Sequence, residues 1–411
     1  MIAGWAVVLV ALAYLTALFS VAHYGDTSGR RLFRGPSRGA IYALAIGVYC
    51  TSWTFYGSVG LASRQGLDFL GVYVGPVLVF TLGAGLLRRV VTLAKAQNST
   101  SIADFIGARY GKSERVAAIV CLLAVIGTVP YIALQLKAIS SSLSTILEAV
   151  DGRSYRNAPF VFGDLALFTA LLLAFFTILF GTRHIDATEH QDGLVIAIAM
   201  ESIVKLLAFL AVGVVVMFFA FDGLGDLIAA AQAPHDPAGL VGRTSGPATL
   251  LSITLISAAA ALLLPRQFHM AVVENRDPAD VTRAAFAFPL YLVAINLFVI
   301  PIAIAGLISF PFGAVDPDMF VLALPMEGNS SLLSVIVFVG GLSAATAMVI
   351  VECVALSIMV SNDIVLPLVL PRSGVSRGEG EDFSDFLLKV RRLAIFAIMV
   401  MAYLYYRALG A

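Results

Sequence analysis

Ten apolar stretches recur along this chain, and each is long enough to cross a lipid bilayer as an α-helix. About 20 helical residues span the roughly 30 Å of hydrocarbon, because each residue adds about 1.5 Å. Hydrophobic residues make up 60% of the sequence and charged residues 13%, so a water-soluble fold has too little polar surface to cover them. The sequence therefore predicts a single all-α integral membrane domain over residues 1–411, in direct contact with the lipid bilayer. The predicted spans lie at about 2–22, 39–60, 68–90, 115–148, 161–181, 192–221, 249–268, 284–309, 332–360 and 388–409.

The first stretch, residues 2–22, has the wrong polarity for a secretory signal. No basic residue precedes it, whereas Arg30, Arg31, Arg34 and Arg38 follow it. A signal peptide carries its positive charge in front of the apolar segment. We therefore predict a first transmembrane helix whose N-terminus lies outside.

The loop charges support the same orientation. Loops counted from an outside N-terminus place 19 of the 26 Lys and Arg residues inside, as the positive-inside rule requires. We predict a multi-pass protein of the bacterial inner (cytoplasmic) membrane. The net charge of zero gives no bulk attraction to nucleic acid. The inside loops are 23–38, 88–115, 182–191, 266–283 and 371–392.

Three ionisable side chains within the predicted spans are candidate functional groups, because an unpaired charge in the membrane is costly. Glu201 and Lys205 are four residues apart and share one helix face. Their spacing favours a mutual ion pair over a proton relay, and both remain open. Glu352 lies mid-span with no partner close in sequence. It is a candidate proton-binding or solute-binding group, and the alternative is a buried structural carboxylate.

Two segments at membrane depth, 49–60 and 258–269, mix small, polar and helix-breaking residues. Transporters place paired discontinuous helices at the membrane midplane, where freed carbonyls and helix ends bind ions and solute. The two segments belong to the second and seventh spans, five apart, as an inverted five-plus-five repeat requires. The alternative is two ordinary helices with small-residue packing faces.

Four short sequence motifs (called phrases below), spread over most of the chain, resemble those of a known family. They are Tyr-Cys-Thr-Ser-Trp-Thr-Phe-Tyr-Gly-Ser-Val-Gly (49–60), Gly-Thr-Arg-His-Ile-Asp-Ala-Thr-Glu-His (181–190), Leu-Pro-Arg-Gln-Phe-His-Met (264–270) and Met-Val-Ser-Asn-Asp (359–363). With them the sequence resembles the sodium/solute symporters, and most closely the symporter-like N-terminal region of hybrid sensor histidine kinases. The resemblance implies a LeuT-like bundle with one extra N-terminal helix at 2–22. Its first five-helix repeat covers 39–221 and its second covers 249–409.

The resemblance also implies where solute and ion bind. The family's solute cavity lies between core helices 1, 3, 6 and 8, and the matching positions here are Trp53, Tyr56, Tyr131, Gln135, Gln267 and His269. The family's sodium site uses core-helix-1 carbonyls, which match Gly47 and Cys50, together with two hydroxyls on core helix 8. No catalytic residue, protein-bound metal or cofactor other than the coupling ion is implied.

The hydroxyl pair of the sodium site is missing at its expected position. Counted back from Asn362 and Asp363, it falls on Ala347 and Met348, which have no side-chain oxygen. Ser343 and Thr346 supply hydroxyls only if the register shifts. The coupling ion is therefore H⁺ or Na⁺.

The sequence ends at Ala411, just after the ninth core helix of the resemblance. We expect either a fragment of a longer protein or a shortened gene that lacks the tenth core helix. A longer parent could carry a kinase module, with a downstream kinase or response regulator as signalling partner.

The function predicted from these features is transport. We expect a module that binds and imports a small polar solute such as an amino acid. The alternative is the solute-sensing membrane domain of a sensor histidine kinase that controls nutrient use. An enzyme is disfavoured, because the chain has no metal-spaced acidic pair, nucleophile elbow or phosphate-binding glycine loop.

Overall fold

The computed structural model describes residues 4–28, 37–151, 164–181, 191–231, 244–310, 313–373 and 380–408. Every regular element in these ranges is helical. Its α-helices are α1 (Gly4–Ser28), α2 (Arg38–Ile46), α3 (Ser58–Gln65), α4 (Gly71–Thr81), α5 (Ala84–Ala96), α6 (Ile102–Arg109), α7 (Glu114–Asp151), α8 (Leu165–Gly181), α9 (Asp192–Val215), α10 (Leu224–Ala231), α11 (Pro247–Leu263), α12 (Pro265–Phe268), α13 (Asp280–Asn296), α14 (Val299–Ser309), α15 (Phe320–Glu327), α16 (Ser331–Met359), α17 (Leu366–Ser373) and α18 (Gly380–Ala408).

Several helices have the length and apolarity of membrane spans. Two bent pairs also qualify, with bends of 68° within 53–96 and 52° within 247–273, and two shorter apolar helices lie at Arg38–Tyr49 and Leu165–Leu179. The predicted all-α membrane fold is confirmed, while the count of ten spans and the repeat boundaries stay predictions. The five single helices that qualify within the described residues are Trp5–Thr27, Glu114–Glu148, Asp192–Ala220, Asp280–Ser309 and Ser331–Val369.

The span predicted at 68–90 is divided in the structure. α4 ends at Thr81 and α5 begins at Ala84. The Gly83 N–H donates to the Leu78 carbonyl, 3.0 Å away. A Cβ on Gly83 would lie 2.6 Å from the Val79 carbonyl oxygen, so only glycine fits the bend without a shift.

Helical geometry is interrupted at both predicted midplane segments. After α2 and a 3₁₀ turn at Gly47–Tyr49, Cys50 is extended, with ψ 99°, and a π-helical turn begins at Trp53. Between α11 and α12, Leu264 is extended, with ψ 135°. Leu264 precedes Pro265, whose ring disfavours helical geometry in the preceding residue. Each interruption frees backbone groups that need other partners.

The centre of the bundle is α16. In its most apolar 18-residue segment 83% of the residues are buried, whereas in that of α7 33% are buried. α16 packs against α7, α8, α9 and α18. The extra helix α1 packs along α9, where a Cβ on Gly25 would lie 2.6 Å from the Gly193 Cα. This close approach of small residues is typical of helices that pack within a membrane.

Candidate functional site

We call α2 and α3 together, with the break between them, the first core helix. Two side chains of α7 form hydrogen bonds with this break. The Gln135 Oε1 accepts from the Ser52 backbone N–H at 3.1 Å and from the Ser52 hydroxyl at 2.7 Å. The hydroxyls of Tyr131 and Thr51 lie 2.9 Å apart. The structure therefore brings two of the residues predicted to bind solute, Tyr131 and Gln135, to the break, where they satisfy its freed polar groups.

Two further predicted residues, Trp53 and Tyr56, lie beside a small cavity next to this break. Its volume is about 60 Å³, which is room for a few water molecules and not for an amino acid. Solute entry at this place therefore requires opening. The lining residues are Ser52, Trp53, Tyr56, Gly57, Leu134, Lys137, Ala138, Ser141, Asp316, Asp318 and Met319.

Asp316, Asp318 and Met319 of the segment 313–319 line the cavity, and an arginine of α3 binds this segment. Arg64 forms ion pairs with Asp318 and, at 3.6 Å, with Asp316. A Cβ on Gly60 would lie 1.7 Å from an Asp318 carboxylate oxygen, so the small residue lets the segment approach α3. Burial raises the pKa of Asp318, and Arg64 opposes that shift.

Weakening this contact is expected to expose the cavity. Arg64→Ala in a protein that also carries Ser141→Cys should raise the rate of maleimide reaction at Cys in place of Ser141 by no more than about fivefold. The limit follows because a solvent-exposed ion pair contributes at most about 1 kcal/mol. The rate is measured in detergent, where the three native cysteines are buried. Arg115→Ala, at the start of α7, is the control. Equal rates for Arg64→Ala and its parent would contradict the role of the Arg64 ion pairs in limiting access to the cavity.

The carbonyls that the family resemblance assigns to sodium bind an ammonium group of the protein. The Lys205 Nζ donates to the Gly47 carbonyl oxygen at 2.8 Å and to the Cys50 carbonyl oxygen at 2.6 Å. The Lys205 side chain is fully buried. A lysine of α9 thus places a positive charge where the freed carbonyls of the first core helix point.

Glu201, one turn before Lys205 on α9, faces hydroxyls of α16. Its carboxylate accepts from the Thr346 hydroxyl and its backbone carbonyl accepts from the Ser343 hydroxyl at 2.9 Å. The mutual ion pair favoured by the spacing of Glu201 and Lys205 does not form, because each side chain turns to a different neighbouring helix. The two hydroxyls predicted as ion ligands both donate to Glu201.

A Na⁺ ion does not fit these residues. The Gly47 and Cys50 carbonyls already accept hydrogen bonds from the Lys205 Nζ. Ala347 and Met348, at the expected hydroxyl positions, offer no side-chain oxygen. A hard cation needs several oxygen ligands, and the Ser343 and Thr346 hydroxyls of α16 donate to the backbone carbonyl and the carboxylate of Glu201.

The break before α12 carries a buried arginine that sequence reasoning assigned to an inside loop. The Arg266 Nη1 lies 2.8 Å from the Glu352 Oε2 of α16, and the side chains are 2% and 0% exposed. The Arg266 guanidinium also lies over the Tyr131 ring, 4.8 Å from its centre. The signal for Arg266 was its position directly after Leu264 and Pro265 at the end of an apolar stretch.

The remaining predicted residues of the second break have different surroundings. Gln267 is fully buried, and neither polar atom of its side chain has a hydrogen-bond partner. His269 turns away to Glu274, with 3.3 Å between the His269 Nε2 and the Glu274 Oε1. Within the described part of the chain, both polar atoms of the Gln267 side chain are therefore available for hydrogen bonds.

Charged residues also form ion pairs at the other end of the first core helix. Arg38, at its start, forms ion pairs with Asp277 at 2.9 Å and Asp280 at 2.7 Å. The Ala279 N–H and, to a smaller extent, Arg38 lower the pKa of Asp277. Ion pairs thus tie both ends of this helix to neighbouring segments.

Two phrases of the family resemblance lie away from the breaks. In the phrase 359–363 the Asn362 amide donates to the Thr100 hydroxyl at 3.3 Å, and Asp363 accepts from the Ser101 hydroxyl at 3.2 Å. The phrase 181–190 lies, apart from Gly181, outside the described residues.

Discontinuous helices that meet around buried polar and charged groups, inside an all-helical apolar bundle, define a membrane transporter fold. A Na⁺-coupled sialic acid symporter, solved in its substrate-bound outward-open state, has the same fold. Its TM-score with this chain is 0.67 at 15% sequence identity, over 98% of this chain and 82% of that chain. At this identity the likeness shows the fold alone.

Two relatives from Bacillus subtilis (strain 168) are uncharacterized symporters. YhjB is 24% identical over 308 residues, which is 74% of this chain and 58% of YhjB. YodF is 27% identical over 263 residues, which is 63% of this chain and 48% of YodF. No known family model matches the chain. The chain is thus a distant relative of bacterial symporters, which are transporters and not enzymes, and it spans about half the length of these two. The predicted relationship to the symporter-like region of sensor histidine kinases stays a prediction.

Proposed function

We propose that this chain forms the transport core of a symporter that imports a small polar solute, such as an amino acid, by alternating access. Its driving ion is H⁺ and not Na⁺. The observation that carries the choice of ion is the position of the Lys205 ammonium, 2.8 and 2.6 Å from the carbonyl oxygens of Gly47 and Cys50.

An ammonium group at this place excludes a metal ion by charge. Two unit charges 4 Å apart repel by about 4 kcal/mol at an effective dielectric constant of about 20. That repulsion lowers the affinity for Na⁺ by roughly a thousandfold. Lys205 supplies as part of the protein the positive charge that the freed carbonyls attract, so no ion from solution is needed there.

The polar groups at the two breaks support a small polar solute. Ser52, Gln135 and Gln267 are buried between discontinuous helices, and the Gln267 amide has no hydrogen-bond partner among the described residues. Unmet buried polar atoms of this kind are typical of a binding site. An inward proton gradient across the bacterial membrane makes the direction import.

The proposal is tested by uptake into liposomes that contain the purified full chain. Labelled proline and histidine are offered under an inward proton gradient, with either Na⁺ or choline as the only other cation. We expect the same rate of uptake in both salts, and its loss when an ionophore collapses the proton gradient. Protein-free liposomes give the background.

Uptake that requires Na⁺ would overturn the choice of ion. No uptake of any of the twenty amino acids would overturn the transport function.

A further inference from the structure

The Arg266–Glu352 ion pair lies between the second break and the central helix. Arg266 belongs to α12 and Glu352 to α16, the most buried long helix of the described chain. The two side chains are 2% and 0% exposed and meet through one contact of 2.8 Å. Neither the carbonyls of the first core helix nor Lys205 takes part in this pair. The exclusion of Na⁺ by Lys205 therefore does not explain why the pair is there.

The hydrogen bonding of the pair is incomplete. The Arg266 Nε and the Glu352 Oε1 are buried without a partner, and so are both polar atoms of the adjacent Gln267 side chain. A guanidinium can bind a carboxylate through two parallel hydrogen bonds, but Glu352 is held at one nitrogen. Four buried polar atoms next to a helix break are thus available to a ligand, which must itself be polar.

Arg266 is positioned independently of Glu352. Its guanidinium lies 4.8 Å from the centre of the Tyr131 ring, a cation–π contact. The Tyr131 hydroxyl in turn lies 2.9 Å from that of Thr51 at the first break. When the ion pair with Glu352 breaks, Arg266 therefore remains between the two breaks, and its charge is available for another anion.

We propose that Glu352 occupies, in the solute-free protein, the place of a solute carboxylate, and that the two exchange on Arg266. The inference rests on the proposed transport function and names its substrate class as small carboxylic acids, amino acids among them. The solute carboxylate takes the guanidinium fork, and Glu352 accepts one proton from water and is left as a neutral acid. Gln267 supplies further hydrogen bonds to the solute.

The proton follows from charge balance. Two carboxylates facing one guanidinium in a site away from water repel each other, so one of them binds a proton. The proton enters with the solute and leaves with it when Glu352 returns to Arg266. One cycle moves one proton with one carboxylate, so a zwitterionic amino acid carries a net charge of +1 inward and a plain monocarboxylate carries none.

Among the described residues, no other charged group on the elements packed against α16 contributes to the electrostatics of Glu352. Arg266 is the charged group that acts on Glu352 directly, and Cys353, the next residue of α16, contacts Met399 of α18 at 3.7 Å. α8 carries no titratable side chain between Leu165 and Leu179. The groups on the remaining packed helices include Tyr14 on α1, Tyr131 on α7, Glu201 and Lys205 on α9, Glu327 on α15, and Lys389, Arg391, Arg392, Tyr403 and Arg407 on α18.

The test is calorimetric binding in detergent, with L-proline and L-histidine against prolinamide and histidinamide. We expect the acids to bind and the amides to bind at least tenfold more weakly. The affinity of the full chain for the acids should fall by about tenfold per pH unit in the alkaline range, with uptake of nearly one proton per solute, measured by comparing buffers of different ionisation enthalpy. Glu352→Gln should bind the acids with no pH dependence and without proton uptake.

Two controls keep the test decisive. Glu327→Gln makes the same substitution at an exposed glutamate of α15 and should keep the parent pH profile. If Glu352→Gln does not fold, Glu352→Asp, which keeps the carboxyl, should retain proton uptake, and the comparison of acid with amide needs no variant.

Amides that bind as tightly as acids, or a Glu352→Gln profile equal to that of the parent, would overturn the exchange. Binding with proton uptake but no accumulation in liposomes would instead overturn transport and leave the exchange intact. Na⁺-independent accumulation with an unchanged Glu352→Gln profile would overturn the exchange alone.

Discussion

Arg266→Ala is expected to destabilise the protein by about 3–5 kcal/mol, the range measured when one partner of a buried ion pair is removed. The substitution leaves the Glu352 carboxylate buried on α16 with no cation in hydrogen-bond reach. It also removes the guanidinium from the face of Tyr131. The free energy of unfolding in mixed detergent micelles measures the loss, with the retained helical signal as the readout.

Removing both partners should be far less harmful than removing one. Arg266→Met combined with Glu352→Leu fills the same space with apolar side chains, and replacements of this kind are often neutral. We therefore expect the double variant to be more stable than Arg266→Met alone by several kcal/mol, although it no longer binds solute. If the effects of the two single substitutions simply add, the pair makes no energetic contribution as a unit.

Much of the fold can be read from the sequence because its signals are local. Apolar stretches of about 20 residues mark the membrane helices. Pro265 forces extended geometry on Leu264, and small and hydroxyl residues around Cys50 weaken the first core helix at the predicted place. Pro130 is different, since α7 runs without a break from Glu114 to Asp151. A proline in a long buried helix can be accommodated when its neighbours support the freed carbonyl.

The partners of the charged residues could not be read in this way, because they depend on helix rotation. Glu201 and Lys205 share a face in sequence, yet one turns to α16 and the other to the first core helix. Arg266 and Glu352 are 86 residues apart in sequence, and no local pattern links them. Counting Arg266 as a loop charge hid its place at the break.

The solute residues divide in the same way. Tyr131 and Gln135 reach the first break because one turn of α7 separates them, a spacing that places both on one side. For His269 the neighbour Glu274 decides the direction of the ring, and only the folded π-helical turn brings the two together. Resemblance to a family thus located the region, while the contacts of each side chain depended on the three-dimensional structure.

Lys205→Ala is expected to destabilise the protein by about 3–5 kcal/mol when choline is the only salt cation. The two hydrogen bonds from the ammonium to the Gly47 and Cys50 carbonyls are lost, and bonds of this charged kind contribute about 1.5–3 kcal/mol each. The fully buried Glu201 carboxylate also loses the nearest positive charge on its own helix. Unfolding in detergent is again the measurement.

Sodium should restore part of this loss in the variant and have no effect on the unaltered protein. With the ammonium gone, the two carbonyls and the Glu201 carboxylate are hard oxygen ligands for a small cation. At a Na⁺ concentration about twentyfold above the dissociation constant, binding to the folded state alone adds about 2 kcal/mol. Lys137→Ala is the control, because Lys137 on α7 lines the small cavity and not the Gly47 and Cys50 carbonyls. Its stability should be the same in Na⁺ and in choline. Equal stability of Lys205→Ala in NaCl and choline chloride, or stabilisation of the unaltered protein by Na⁺, would contradict the view that Lys205 takes the place of a metal ion.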